Sequence, residues 1–189
     1  MKYIFISGIP ASGKSYLAKK VAKATGVLHF KIDDWREEFW KNENADWVDF
    51  FWNKNEKEYW ETITPQKHWN NLKNQSEAFW SVALKKIRAI QKIKKSAIFE
   101  GVNILPHLAH RDLNFPGIVL LGQSIDVIFE RCKKDPRWGK TEELQKKEAE
   151  WFFIHEGKTY EKEAKKYGYK TFRDSDKAEK ELIKLLKNK

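Results

Sequence analysis

Short apolar runs and amphipathic stretches alternate along the chain. Residues 2–7, KYIFIS, make a compact apolar run that predicts a buried strand. Residues 14–24 then carry Leu17, Val21 and Ala24 along one side, with Gly26 beyond them as a stop, which predicts a helix. Further strands are expected at 27–32 (VLHFKI), 96–101 (SAIFEG), 117–122 (GIVLLG) and 169–172 (YKTF). Over 75–94, Phe79, Val82, Ala83, Ile87, Ile90 and Ile93 fall near one helical face and lysines occupy the other. Helices are also expected after the fourth strand to about residue 133, over 141–167 with Gly168 as the closing residue, and over 176–187. Residues 34–61 are acidic and aromatic and read as helical in pieces. Strands alternating with helices predict an α/β fold, a parallel sheet covered on both faces with right-handed crossovers. Ligands of such sheets gather at the carboxyl ends of the strands. Asp33, Asp34, Glu100, Gly101 and the turn after the first strand all fall at such ends.

Composition narrows the setting. The 189 residues, 41% hydrophobic, suit one domain spanning 1–189. The mean hydropathy is -0.75, so the surface is heavily charged. Cys132 is the single cysteine, which excludes an internal disulfide and fits a reducing compartment. No stretch approaches the ~18 apolar residues of a membrane span, and the N-terminus turns to glycine and proline too early for a secretory signal. A cytoplasmic protein without a membrane partner is expected. Net charge is +10, but unevenly spread. Residues 31–62 hold 5 basic and 10 acidic side chains, whereas residues 65–98 hold 8 basic and 1 acidic. The basic excess fits a solvated lysine surface, and it keeps a phosphorylated ligand or a nucleic acid open as a partner.

The turn after the first strand changes the picture most. Gly8-Ile9-Pro10-Ala11-Ser12-Gly13-Lys14-Ser15 fits G-x-x-x-x-G-K-[ST] at every fixed position. The glycines let successive backbone N–H groups face one anion, and the following helix aims its positive end at the same place. Gly8, Ala11, Ser12, Gly13, Lys14, Ser15 and Tyr16 are therefore the expected nucleotide-binding residues. Lys14 reaches the outer phosphates, and the Ser15 hydroxyl suits Mg²⁺. A guanine-reading N/T-K-x-D motif is missing; NKNE at 53–56 lacks the aspartate and comes too early.

An ATP phosphotransferase acting on a hydroxyl needs a carboxylate to orient that hydroxyl and take its proton. Asp33 and Asp34, in KIDDWREEF, stand at the end of the second expected strand, and Arg36 follows one helical turn later. The same aspartates also suit helix capping, and the two roles are compatible. Glu100 closes the apolar run AIF, where an acid can bind Mg²⁺ directly or through water. GIPASGKS with KIDDWREEFW resembles the kinase domain of polynucleotide 5′-hydroxyl kinases. IFEGVNILPHLAHRDL is similar to the third-strand segment of that family. It is also similar to zeta-toxin-like, chloramphenicol-phosphotransferase-like and 2-phosphoglycerate-kinase-like proteins. These are small kinases of the P-loop NTPase class. The resemblance implies a three-layer sandwich with five parallel strands in the order 2-3-1-4-5 and a helical lid. It implies Asp33 as general base and Arg36 as the grip on a substrate phosphate, with Asp34, Gly101 and Asn103 beside the acceptor. Glu100 stands where the family carries Asp.

Two regions remain. ERCKKDPRWGK, within a lid expected over 130–150, offers Arg131 and Arg137 to the transferring phosphate, with Pro136 and Gly139 around a turn. A solvated basic helix end would look the same. Seven of the nine tryptophans lie between residues 35 and 80, inside an acceptor-binding insert expected over 34–95. They suit either the core or a stacking surface for a base, sugar or antibiotic ring. Ser175 or Asp176 is the expected N-cap of the last helix, and His107 and His110 have no third metal ligand near them in sequence. The expected activity is transfer of the γ-phosphate of ATP, with Mg²⁺, to a hydroxyl of a small-molecule or nucleoside-like acceptor. A polynucleotide 5′-hydroxyl kinase and a non-catalytic nucleotide switch or adaptor are the alternatives.

Overall fold

A computed structural model of the chain describes residues 1–42, 50–51 and 54–187, with the backbone alone at 40–42. Five parallel strands form one sheet: β1 (Tyr3–Gly8), β2 (Leu28–Lys31), β3 (Ala97–Glu100), β4 (Gly117–Leu120) and β5 (Lys170–Phe172). Their order is β2-β3-β1-β4-β5, as the resemblance implied. Helices α1 (Lys14–Thr25) and α9 (Ser175–Lys187) cover one face. The other face carries α2 (Ile32–Asn42), α4 (Pro65–Lys92), α5 (Pro106–Asp112) and α8 (Gly157–Lys166). The remaining helices are α3 (Glu56–Thr62), α6 (Ile125–Lys134) and α7 (Glu142–Glu150). None of the described helices is long and apolar enough to cross a membrane.

The apolar runs of β1, β3 and β4 look continuous in sequence because both faces are covered. Alternation is still present inside them. Phe5, Phe99 and Val119 face the larger core with Phe79 and Ile87, while Ile4, Ile6, Ile98, Ile118 and Leu120 face Leu17, Val21 and Leu182. Phe5 meets Tyr169 edge-on with ring centroids 5.1 Å apart. Gly117, paired with Phe5 across the sheet, leaves room for that ring.

Two expectations need correction, and one helix was not expected. α4 begins at Pro65, ten residues before the periodicity announced it, because Thr64 caps it by accepting from the Lys67 amide and Pro65 takes the first helical position. α5 was not foreseen; seven residues are too few to establish a period, and Leu105-Pro106 is its whole start signal. The cap of α9 is Asp174 rather than Ser175 or Asp176. Its Oδ1 accepts from the amides of Asp176 (2.8 Å) and Lys177 (3.0 Å), which holds its carboxyl below the usual range.

The tryptophans divide between the two readings. Trp35 packs on Phe30 and Phe99, Trp69 stands edge-on to Tyr160, and Trp80 donates to Asp112 at 2.7 Å. These three belong to the core. Trp60 is buried too, but it lines a cavity. Trp47 and Trp52 lie outside the described residues, as does the side chain of Trp40.

A Cβ added to Gly117 would sit 2.4 Å from the Phe5 ring. Gly117→Ala is expected to lower stability by about 1–3 kcal/mol, the usual range for overpacking. Urea denaturation followed by tryptophan fluorescence measures this, and an unchanged midpoint would contradict the packing described.

Candidate active site

The turn between β1 and α1 is built on three residues with positive φ: Gly8 at 130°, Ala11 at 52° and Gly13 at 100°. Gly8 has no substitute, since a Cβ there would lie 2.0 Å from the Leu120 carbonyl oxygen. The Ser12 hydroxyl donates to the Ile9 carbonyl at 2.8 Å and fixes the inside of the turn. Lys14 folds back over it, donating to the carbonyls of Gly8 (3.0 Å) and Ile9 (2.7 Å). Burial pulls the Lys14 ammonium below its ordinary range, while Asp33 and Glu100 act in the opposite direction. Arg131, from α6, lies across the turn. Its Nη1 donates to the Ala11 carbonyl at 3.0 Å, and a side chain at Gly13 would touch its guanidinium.

Opposite stand the acids. Sheet pairing sets Glu100 level with Ile6 on one side and Lys31 on the other. Glu100 is fully buried, and neither carboxylate oxygen has a hydrogen-bond partner among the described residues. His29 Nε2 stands 3.5 Å from Oε1 without bonding it. Asp33 lies in the first turn of α2, and its Oδ1 accepts from the Val102 amide at 3.2 Å. Gly101 permits that approach, since a Cβ there would be 3.1 Å from the same oxygen. Val102 is held on its other side by the hydroxyl of the buried Tyr160, which donates to its carbonyl. Burial raises the Asp33 carboxyl; Arg36 opposes this, Glu100 adds to it, and Lys14 opposes it again.

Loop, acids and arginines share one cavity of about 780 Å³, lined by Ala11, Gly13, Lys14, Ser15 and Tyr16 with Asp33, Arg36, Glu100, Arg131 and Arg137. This lies within the range of small-ligand sites, about 300–1,000 Å³. Some expected residues stand elsewhere. Asp34 is exposed, pairs with Lys31 at 2.6 Å and lines a smaller neighbouring groove with Ser15 and His29. Gly8 and Ser12 shape the turn from within, and Gly101 and Asn103 stand behind the cavity wall. Asn103 accepts from Arg36 Nη1 at 2.6 Å and donates to Ser76 at 2.8 Å, so it orients the arginine. Arg137 pairs with Asp135 at 3.2 Å on an exposed stretch, and its charge acts on Lys14.

Other lining residues were not foreseen. Residues 151–156 form one π turn between α7 and α8. Eight residues of α-helix overshoot two full turns by about 80°; a π turn takes more residues per revolution and cancels part of that drift. Glu148, Phe152 and Glu156, spaced by four, thus all line the cavity. His68, Gln75 and Trp138 join them. The one available signal was an acid repeated at buried spacing in a helix otherwise rich in lysine.

The comparisons give the fold. Shikimate kinase from Acinetobacter baumannii in complex with shikimate is 14% identical, with a TM-score of 0.55 over 100% of this chain and 95% of that one. Deoxyadenosine kinase from M. mycoides with bound dATP is 16% identical, with a TM-score of 0.50 over 100% of both chains. No protein-family model matches the chain, and neither does any curated protein. With the strand order and the loop, these structures establish a P-loop NTPase fold.

Burial pushes the Glu148 carboxyl up to about 7, with Glu56 adding to the effect. A raised carboxyl binds its proton more tightly when folded. Its contribution to stability is full below the unfolded value near 4.5 and is lost as pH rises through about 7. Glu148→Gln, which does not titrate, should therefore gain stability relative to the parent as pH rises from 4.5 to about 7 and keep that gain above 7, on the order of 3 kcal/mol. Urea midpoints at several pH values test this; parallel curves would contradict it.

Proposed function

We propose that the chain is a kinase that moves the γ-phosphate of ATP to a hydroxyl of a small-molecule or nucleoside-like acceptor. The observation that carries this reading is the shared cavity: the phosphate loop with Lys14 on one side, and Asp33, aimed by Val102, on the other. The two structural neighbours are named for shikimate and deoxyadenosine, which supports a small acceptor. So does the rest of the lining, where Trp60, Trp138 and Phe152 accompany Glu148 and Glu156, a poor track for a polyanion. On this reading residues 1–189 work as one domain, residues 34–95 supply the acceptor side, and residues 130–150 act as a lid.

Loop amides and the α1 N-terminus bind the phosphates. Lys14 turns from its carbonyl contacts to the outer phosphates, and its present bonds leave that exchange nearly balanced in hydrogen-bond count. Asp33 orients the acceptor hydroxyl and accepts its proton; a carboxyl raised by burial is better matched to that task than an exposed one. Arg131 and Arg137 offset charge on the transferring group, the first from its seat on the loop and the second from the turn after α6. Arg36, held by Asn103, lines the acceptor side.

The residues present fit Mg²⁺. Glu100 is a buried carboxylate with no hydrogen-bond partner among the described residues, and Ser15 adds a hydroxyl at the loop. Few protein ligands suffice, because Mg²⁺ keeps waters and shares phosphate oxygens. When bound there it would neutralise phosphate charge and help align the outer phosphates.

Asp33→Asn should lower transfer by about 10²–10⁴-fold while ATP affinity is retained. A screen with γ-labelled ATP over nucleosides, sugars, antibiotics and 5′-hydroxyl oligonucleotides supplies the assay. A nucleotide switch would show unchanged turnover in the variant, and a polynucleotide kinase would label the oligonucleotide.

Glu100→Gln separates the metal's needs from the fold's. The neutral amide is cheaper to bury than a carboxylate that accepts no hydrogen bond among the described residues, so the nucleotide-free variant should gain about 1–3 kcal/mol. Its Mg²⁺-dependent ATP affinity should fall at least tenfold. Calorimetry with and without Mg²⁺ checks both; equal affinities in the two proteins would remove Glu100 from the metal site.

A further inference from the structure

Phe51, Trp60, Trp138 and Phe152 line the cavity together with Glu156. These rings form one group: Trp60 packs on Trp138 and Phe152, and both Trp60 and Phe51 pack on His68, the residue that contacts Glu156. Glu156 is 4% exposed, and its Oε2 has no hydrogen-bond partner among the described residues. Its other oxygen ends a chain of bonds. Asn71 Nδ2 donates to the Tyr59 hydroxyl at 3.3 Å, that hydroxyl stands 2.8 Å from His68 Nδ1, and His68 Nε2 stands 2.7 Å from Glu156 Oε1.

An amide nitrogen only donates, so the Tyr59 oxygen accepts from Asn71 and links it to His68 Nδ1. The ring's other nitrogen occupies Glu156 Oε1, and Oε2 is left buried without a donor among the described residues. Burying a carboxylate oxygen this way is costly unless a donor completes it. A neutral polyol could donate to Oε2 but brings no charge of its own. A protonated amine supplies both N–H and charge, and the faces of the surrounding rings attract a cation. Glu148, a second buried acid lining the same cavity, would give up its proton more readily beside a cation and so adds to the preference. The charge of Glu156 also acts on Lys14, so Glu156 lies within a small molecule's reach of the transfer site.

We infer that the acceptor is an amine-bearing alcohol, its ammonium held by Glu156 Oε2 among Trp60, Trp138 and Phe152 while its hydroxyl meets Asp33. The inference rests on the phosphotransfer reading for the word acceptor, and on Glu156 and the rings near it for the amine. Three matched pairs differ only by hydroxyl against ammonium: glycerol and serinol, glucose and glucosamine, scyllo-inositol and its monoamine. Calorimetry on the whole chain should show at least one amine binding tenfold or more above its neutral partner. Acetylating that amine should abolish the gain, and Glu156→Gln should bring the pair within about twofold. Equal binding in all three pairs, no amine binding, or a preference that survives acetylation or Glu156→Gln would overturn the inference. The acetylated compound decides the matter on the wild-type chain if the variant does not fold. Transfer from γ-labelled ATP is scored separately. Amine preference without transfer keeps the amine site and removes the kinase reading, whereas transfer to neutral members alone does the reverse.

Discussion

The register of β3 between β1 and β2 governs the chemistry of this molecule. It sets Glu100 level with Ile6 and Lys31, at or just short of the points where the two flanking strands leave the sheet. From those points run the phosphate loop and the first turn of α2. One parallel ladder therefore brings a lysine, a serine and two acids to one edge although they are scattered over almost ninety residues of sequence. A shift of one residue in β3 would turn Glu100 to the opposite face and put an apolar side chain at the loop. The burial of Ile98 on one face and Phe99 on the other opposes that shift, since each fits its own core. Core packing is thus what holds the acid in place, and the acid itself has no hydrogen-bond partner among the described residues to hold it.

The same economy appears around Asp33. The carboxylate is fixed by the Val102 amide, Val102 by Tyr160, and Tyr160 by its packing against Trp69. A residue of α8 and a tryptophan of α4 thereby set the aim of an acid on α2. Gly101 is small because that acid passes over it. The tryptophans of the insert look like a surplus of binding surface in sequence. In the fold most of those described are structural, and their effect on the cavity is indirect, through elements they hold rigid.

The strands, the loop and the acids were legible in the sequence because each has a local cause. A strand buried on both faces must be apolar throughout, a phosphate turn needs glycine at its most open positions, here Gly8 and Gly13, and an acid ending an apolar run is conspicuous. What stayed hidden depends on partners distant in the chain or on rules without a period. The first turns of α4 carry His68, Trp69 and Leu72 toward the core, but asparagine, lysine and glutamine between them blur the stripe. α5 is too short to repeat. The π turn is a change of helical phase, and nothing in WFFIHE announces it. Glu148 and Glu156 look like two acids on a lysine-rich helix until α3, α4 and the turn after α6 close over them.

Those two glutamates show how this fold separates its charges. Cations on the loop side are held by carbonyls and by short-range acids: Lys14 on Gly8 and Ile9, Arg131 on Ala11, Arg137 on Asp135. Each can exchange its present oxygen partner for a phosphate oxygen at little cost in bond count. Glu156 has no such partner for its second oxygen among the described residues, and its histidine neighbour is engaged on its other nitrogen by Tyr59. On the proposed reading, phosphate groups would be matched by movable cations, while an acid buried near rings would hold the other part of the acceptor. A molecule that bridged the two would be cationic where it is held and would carry its hydroxyl to Asp33. Its orientation in this cavity would then follow from electrostatics before any shape complementarity is considered.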